Sequence, residues 1–168
     1  YVGIGDTSEF DILDELTISV WVKPYSDQTT SLIDRFPELS ATNNGSGTIG
    51  YRLCLRGTAS AGTPGVVWAQ FGEGTTSDFS ASPINTYTIN EWIHITGVWK
   101  NNNYIKLYID GSLVDQTTTS MVFNTDNPLE FGRLNWEGFV QTEYFDGVMD
   151  DIGTWNRALT ECEIQDLY

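Results

Sequence analysis

Three things are scarce in this 168-residue sequence: histidine, cysteine and positive charge. His94 is the only histidine, so a histidine acid–base pair or a histidine-rich zinc centre is nearly excluded. Eight basic residues face 23 acidic ones, which gives a net charge of −15 and leaves no basic cluster to neutralise phosphates. No run approaches the roughly 20 apolar residues of a membrane span. We therefore expect neither nucleic-acid binding nor membrane insertion.

The two cysteines, Cys54 and Cys162, fit neither a zinc-binding spacing nor a CxxC redox motif. In an exported protein they can form one disulfide that closes a loop of roughly a hundred residues. By restricting the unfolded chain, such a bond would stabilise the native state by about 4 kcal/mol. The sequence leaves this pairing open, because it does not place the two Cα atoms within reach of each other.

Alternation of apolar and polar residues recurs along the chain and predicts short strands separated by turn-rich segments. The predicted strands cover residues 16–22, 51–55, 66–71, 92–99, 104–109, 129–132 and 148–155. Asp110-Gly111 is a dipeptide typical of tight hairpin turns. This pattern predicts an all-β fold, a two-sheet antiparallel β-sandwich or jelly roll.

A short helix is predicted at the end of the chain, over residues 159–168. Thr160 and Glu163 have the spacing of a capping box, and Ile164, Leu167 and Tyr168 share one face. The length fits a single domain covering residues 1–168. Because the sequence begins inside an apparent strand without a leader, we expect a module excised from a larger multidomain protein.

Four motifs, in this order, resemble a known family. They are LTISVWVKP at 16–24, WIHITGVW at 92–99, LYIDG at 107–111 and the segment from Gly147 through WNRALT at 155–160. Together they resemble the laminin-G-like jelly rolls with the concanavalin A-type fold, a group that includes the pentraxins. The resemblance implies this fold more firmly than any one function, because its members include glycan-binding modules, adhesion modules and secreted lectins.

The function expected from this resemblance is non-catalytic carbohydrate binding by a secreted or cell-surface protein. The partner would be a glycan or polysaccharide, and the module could be attached to a polysaccharide-degrading enzyme. Two alternatives remain open: an adhesion module that binds protein, and a glycoside hydrolase or lyase domain. For the hydrolase, Glu9, Asp11 and Asp14 resemble the acid-x-acid-x-x-acid pattern of laminarinase-type enzymes, although Glu is expected at the third position.

Asp150 and Asp151 are adjacent acids in an otherwise apolar predicted strand, where burial without a cation or hydrogen bonds is costly. Carboxylate oxygens suit calcium, and the first and last strands are often neighbours in this fold. We therefore predict a structural calcium ion held by Asp6, Asp150 and Asp151. Alternatively, these acids cap backbone amides at a strand end.

The ligand site is predicted on the loop after residues 129–132. The indole of Trp136 in this loop can stack on a sugar ring, while neighbouring charged and amide groups bind hydroxyls. The predicted carbohydrate-binding residues are Arg133, Asn135, Trp136, Glu137 and Tyr144. The alternative is that Trp136 packs under its own loop. Other tryptophans are expected mostly in the core, namely Trp21, Trp92, Trp99 and Trp155.

Overall fold

A computed structural model of the chain describes residues 2–5, 14–35, 50–57, 64–73, 76–123, 129–134 and 143–168. Over these residues the chain forms two antiparallel sheets that pack as a sandwich and are followed by one short helix, as predicted. Within the same ranges, no helix is both long and apolar enough to cross a bilayer.

Strand order defines the two sheets. The six-stranded sheet runs in the order β1 (Val2–Gly5), β10 (Leu129–Phe131), β3 (Thr30–Asp34), β4 (Gly50–Arg56), β5 (Val66–Glu73) and β6 (Thr76–Ala81). The five-stranded sheet runs in the order β13 (Gly147–Trp155), β2 (Glu15–Pro24), β7 (Ile93–Lys100), β8 (Tyr104–Ile109) and β9 (Ser112–Thr118). A separate two-stranded ladder joins β11 (Arg133–Leu134) to β12 (Glu143–Tyr144).

Each of the predicted strands coincides with an observed one: β2, β4, β5, β7, β8, β10 and β13. Alternation missed β3, β6 and β9 for identifiable reasons. All five residues of β3 are buried, and a register shift between Ser31 and Ile33 interrupts its alternation. Strands β6 and β9 are rich in polar residues, and β9 ends the five-stranded sheet with all of its residues exposed or half-buried.

The core lies between the sheets and is built from every second residue along the strands, the residues whose side chains point inward. On β2 these are Leu16, Ile18, Val20 and Val22, all at most 1% exposed. Trp99 on β7 is fully buried, and its indole Nε1 donates a hydrogen bond to the Gln70 carbonyl of β5, at 3.1 Å. The ring takes the space beside Gly97, where an added Cβ would lie 2.4 Å from Trp99 Cη2. This tryptophan therefore connects the two sheets.

The predicted helix is α1 (Glu161–Leu167), and its capping box is confirmed. Thr160 Oγ1 accepts the amide of Glu163, while the Glu163 carboxylate accepts the amide of Thr160. Ile164 is buried against Val98 and Tyr108 on the outer face of the five-stranded sheet. The helix therefore covers part of the sheet face that points away from the core.

Two residues of β2 fasten the segment that leads into α1. Thr17 Oγ1 donates to the Arg157 carbonyl at 2.8 Å and accepts the Leu159 amide at 3.0 Å. Glu15 accepts the Ala158 amide at 3.0 Å and pairs with Lys100, and these interactions lower the pKa of the Glu15 carboxyl. The end of the chain is thereby held against the outer face of β2.

The cysteines do not form the disulfide that the sequence allowed, and both are free thiols. Cys54 is buried and alternates with the inward-pointing Leu53 and Leu55, so it lies on the outer side of the six-stranded sheet. Cys162 is exposed on α1, which covers the outer face of the other sheet. The whole sandwich separates the two thiols.

Candidate functional site

Strand β13 carries a bulge at the two acids singled out by the sequence. Its register against β2 shifts between Asp150 and Gly153, and Asp151 adopts a left-handed backbone with φ 47°. The amide of Asp151 donates to Asp150 Oδ1 at 2.9 Å. Both side chains are exposed, so the cost of burial from which the calcium prediction was argued does not arise. Among the described strands, β13 is the last of its sheet and has a neighbour on one side, β2, and the bulge leaves residues 150–152 exposed to water.

Trp21 lies beside this bulge, directly opposite Asp150 in the β13–β2 register. Its neighbours Val20 and Val22 point into the core, so the indole points to the outer face, where it is half-buried. The ring of Tyr168 stacks on it, with centroids 5.6 Å apart and an interplanar angle of 18°. The aromatic surface on the outer face is thus shared by a strand and the end of the chain.

An open cleft of about 370 Å³ is lined by Trp21, Trp92, Asp150 and Asp151. Trp92 lies just before β7 and is 45% exposed. The expectation that Trp21 and Trp92 belong to the core is therefore wrong, whereas Trp99 is fully buried as expected. The alternation of residues along the strands could have placed both indoles on the outer face. Trp21 falls between the inward-pointing residues of β2, and Trp92 is two residues from the outward-pointing His94.

His94 lies behind this aromatic surface, with its ring 5.1 Å from that of Trp21. It is 2% exposed, and Nε2 is 2.6 Å from Ser19 Oγ, while Nδ1 has no hydrogen-bond partner among the residues that the structure describes. Burial disfavours the imidazolium and lowers the pKa of His94, an effect that nearby Asp110 partly opposes. His94 is thus a buried sheet histidine whose Nε2 is paired with Ser19.

The loop predicted to bind sugar is only partly described. Arg133 and Tyr144 face each other in the β11–β12 register, and Tyr144 is 50% exposed. Arg133 Nη1 bonds Glu130 Oε1 at 3.2 Å. The other predicted residues, Asn135, Trp136 and Glu137, lie outside the described ranges, so this site stays a prediction.

Comparison with known families decides the membership of the chain. A family model described as the concanavalin A-like lectin/glucanases superfamily matches residues 1–165. The chain belongs to this superfamily. The resemblance inferred from the four sequence motifs is thereby confirmed, and the two-sheet jelly roll agrees with it. None of the curated proteins matches the sequence.

Several solved structures share the fold of this superfamily member. A pentraxin from Limulus polyphemus has a TM-score of 0.65 at 16% identity, with 91% of this chain and 69% of the pentraxin covered. Domain 4 of an extracellular GH43 arabinanase from Geobacillus stearothermophilus, solved with arabinotriose, gives 0.64 at 20%, covering 98% and 71%. The binding domain of botulinum neurotoxin DC, solved with SialylT, gives 0.63 at 15%, covering 92% and 35%. The chain therefore spans about a third of that neurotoxin domain, and at these identities the likeness shows the fold alone.

The acids of the hydrolase alternative are mostly outside the described part of this superfamily member. Glu9 and Asp11 lie in the range 6–13, which the structure does not describe, and Asp14 is exposed in a bend before β2. The structure therefore gives no distances among these three carboxylates, and the hydrolase alternative stays a prediction.

The predicted calcium ligands are also only partly described. Asp150 and Asp151 lie side by side, Asp6 falls outside the described ranges, and no group of three or more potential ligands occurs among the residues inside them. Calcium takes six to eight oxygen ligands, so these two carboxylates do not by themselves make a calcium cage. The calcium ion stays a prediction.

A thermal melt tests this calcium prediction. Calcium at a hundred times its dissociation constant should stabilise the native state by about 2.7 kcal/mol and raise Tm by a few degrees relative to a chelated sample. If Asp6→Asn and Asp150→Asn each reduce the shift, the prediction holds. Identical melts with calcium and with chelator would contradict it.

Proposed function

We propose that this chain is a non-catalytic carbohydrate-binding module, residues 1–168, of a larger secreted or cell-surface protein. Its glycan would lie in the cleft between Trp21 and Trp92. The observation that carries this proposal is the composition of the cleft, which combines two indoles with two exposed carboxylates. The proposal moves the ligand from the loop of Trp136 to the outer face of the five-stranded sheet.

The chemistry of the cleft suits a sugar. The apolar face of a pyranose stacks on an indole, and the carboxylates of Asp150 and Asp151 accept hydrogen bonds from hydroxyl groups. Trp21 lies on β2, which has a strand neighbour on each side, and stacking against Tyr168 limits the motion of its ring. Trp21 is therefore held in place before a ligand binds, which lowers the cost of binding.

The geometry favours binding over hydrolysis. A glycosidase places two carboxyl groups on opposite sides of the bond that it cleaves. Asp150 and Asp151 are consecutive residues on one strand, and they are the carboxylates that line this cleft. Similar folds in a pentraxin, an arabinanase domain and a neurotoxin binding domain add support for a binding module.

A glycan array combined with pull-down on insoluble polysaccharides tests the proposal. We expect saturable binding to a limited set of glycans, and no release of reducing sugar from those that bind. Binding to no glycan, together with capture of a protein ligand from cell surfaces, would favour the adhesion alternative. Turnover of a bound polysaccharide that is lost in Glu9→Gln and Asp11→Asn would establish the hydrolase alternative.

A further inference from the structure

We propose that the cleft selects sugars that carry a free, protonated amino group over their N-acetylated, neutral and acidic counterparts. This inference rests on the proposed function, because it names the class of glycan that the same cleft would bind. It is carried by the charge of the cleft, by the chemistry of its aromatic residues and by the absence of a neutralising partner among the described residues.

The carboxylates of Asp150 and Asp151 have no cationic partner in the part of the chain that the structure describes. The Asp150 side chain accepts a hydrogen bond from the amide of Asp151, and neither acid forms an ion pair with a described residue. Lys23 lies two residues from Trp21 on the same strand, opposite Val148, and it forms no ion pair with either acid. Two negative charges therefore remain available to a ligand.

The aromatic residues of the cleft favour an ammonium group over a metal ion as its ligand. Trp21 and Trp92 line the same cleft as the two acids. The face of an indole attracts an ammonium group, most strongly where water is excluded. Calcium instead requires oxygen ligands, which an indole does not supply. An amino sugar uses both features at once, because its ring stacks on an indole while its ammonium group pairs with the carboxylates.

The same charges act against acidic sugars. A uronic or sialic acid brings a carboxylate towards Asp150 and Asp151, in a protein whose net charge is −15. Like charges in close contact oppose binding and slow the encounter, especially at low salt. The cleft should therefore discriminate by charge as well as by shape.

The test uses four sugars with the same ring: glucose, glucosamine and N-acetylglucosamine, which differ at C2, and glucuronic acid, which differs from glucose at C6. Their affinities are measured by tryptophan fluorescence or calorimetry in the presence of chelator. We expect glucosamine to bind roughly tenfold more tightly than N-acetylglucosamine or glucose, and glucuronic acid most weakly. The preference for glucosamine should shrink as salt is raised.

Isosteric variants connect this preference to the two acids. Asp150→Asn and Asp151→Asn should each weaken glucosamine binding roughly two- to fivefold more than they weaken glucose binding, because the amide oxygen of Asn still accepts a hydrogen bond from a hydroxyl group but carries no charge. Glu161→Gln removes one charge from an exposed position at the start of α1 and should change neither affinity.

Equal affinities for glucosamine and glucose would overturn the inference while leaving the proposed function intact. A glucosamine preference that survives in both Asp→Asn variants would overturn the assignment to these acids. Binding of none of the four sugars would also overturn the inference. The glycan array then decides separately whether the proposed function fails with it. A preference that appears only when calcium replaces chelator would show a metal-dependent site instead.

Discussion

Trp92→Ala is expected to weaken glycan binding roughly 30-fold or more, with little change in Tm. Truncation of an aromatic anchor at the centre of a binding site typically costs at least about 2 kcal/mol, which corresponds to that factor. Trp92 is 45% exposed, and surface substitutions usually change the free energy of unfolding by no more than about 0.5 kcal/mol. Calorimetric titration with the best glycan from the array, together with a thermal melt, measures both effects.

Two control variants make this result specific to the cleft. Phe79→Ala removes an aromatic ring of similar exposure, 44%, from β6 of the six-stranded sheet and should leave glycan affinity unchanged. Trp136→Ala tests the loop that the sequence favoured. Loss of binding in Trp136→Ala combined with normal binding in Trp92→Ala would move the site to that loop and refute the cleft.

Trp99→Ala is expected to lower the free energy of unfolding by roughly 3–5 kcal/mol. The indole is fully buried between the sheets and packs against Tyr51, with ring centroids 5.7 Å apart. Its removal leaves a large cavity, and the Gln70 carbonyl loses the donor at 3.1 Å. Urea denaturation followed by circular dichroism measures the loss, provided that the variant still folds.

Trp99→Phe provides the second measurement for this prediction. It keeps an aromatic ring but lacks Nε1, so it should destabilise the protein by less than Trp99→Ala does. A cost below about 1 kcal/mol for Trp99→Ala would mean that the sheets collapse around the vacant space. The role of Trp99 in connecting the two sheets would then be wrong.

The fold followed from the sequence because its strongest signals are local. Alternation on β2 and β7, the Asp110-Gly111 reversal and the Thr160–Glu163 capping box all depend on neighbouring residues, and the structure confirms each of them. The helix begins at Glu161, two residues after the predicted start, because Thr160 is its N-cap. Boundaries of this kind depend on cap geometry more than on composition.

The candidate site was harder to predict from the sequence than the fold. Alternation predicts that Trp21 points away from Leu16, Ile18 and Val20, but its tryptophan chemistry suggested a core residue. The alternation along the strand predicted the direction of Trp21 better than its residue type did, because in a sandwich one face of each sheet points away from the core. The bulge at Asp151 has no comparable signal, because it depends on how β13 meets β2, and these strands are far apart in the chain.

That separation also has a consequence for synthesis on the ribosome. Trp21 pairs with Asp150, and Thr17 bonds Arg157 across a separation of 140 residues. Trp21 is synthesised well before Asp150, the residue opposite it on β13. Until then the outward indole of Trp21 has neither β13 beside it nor Tyr168 stacked on it. We therefore expect the outward aromatic residues of the nascent chain to stay exposed until β13 and Tyr168 have been synthesised, and long-range strand pairing of this kind is slow and prone to aggregation.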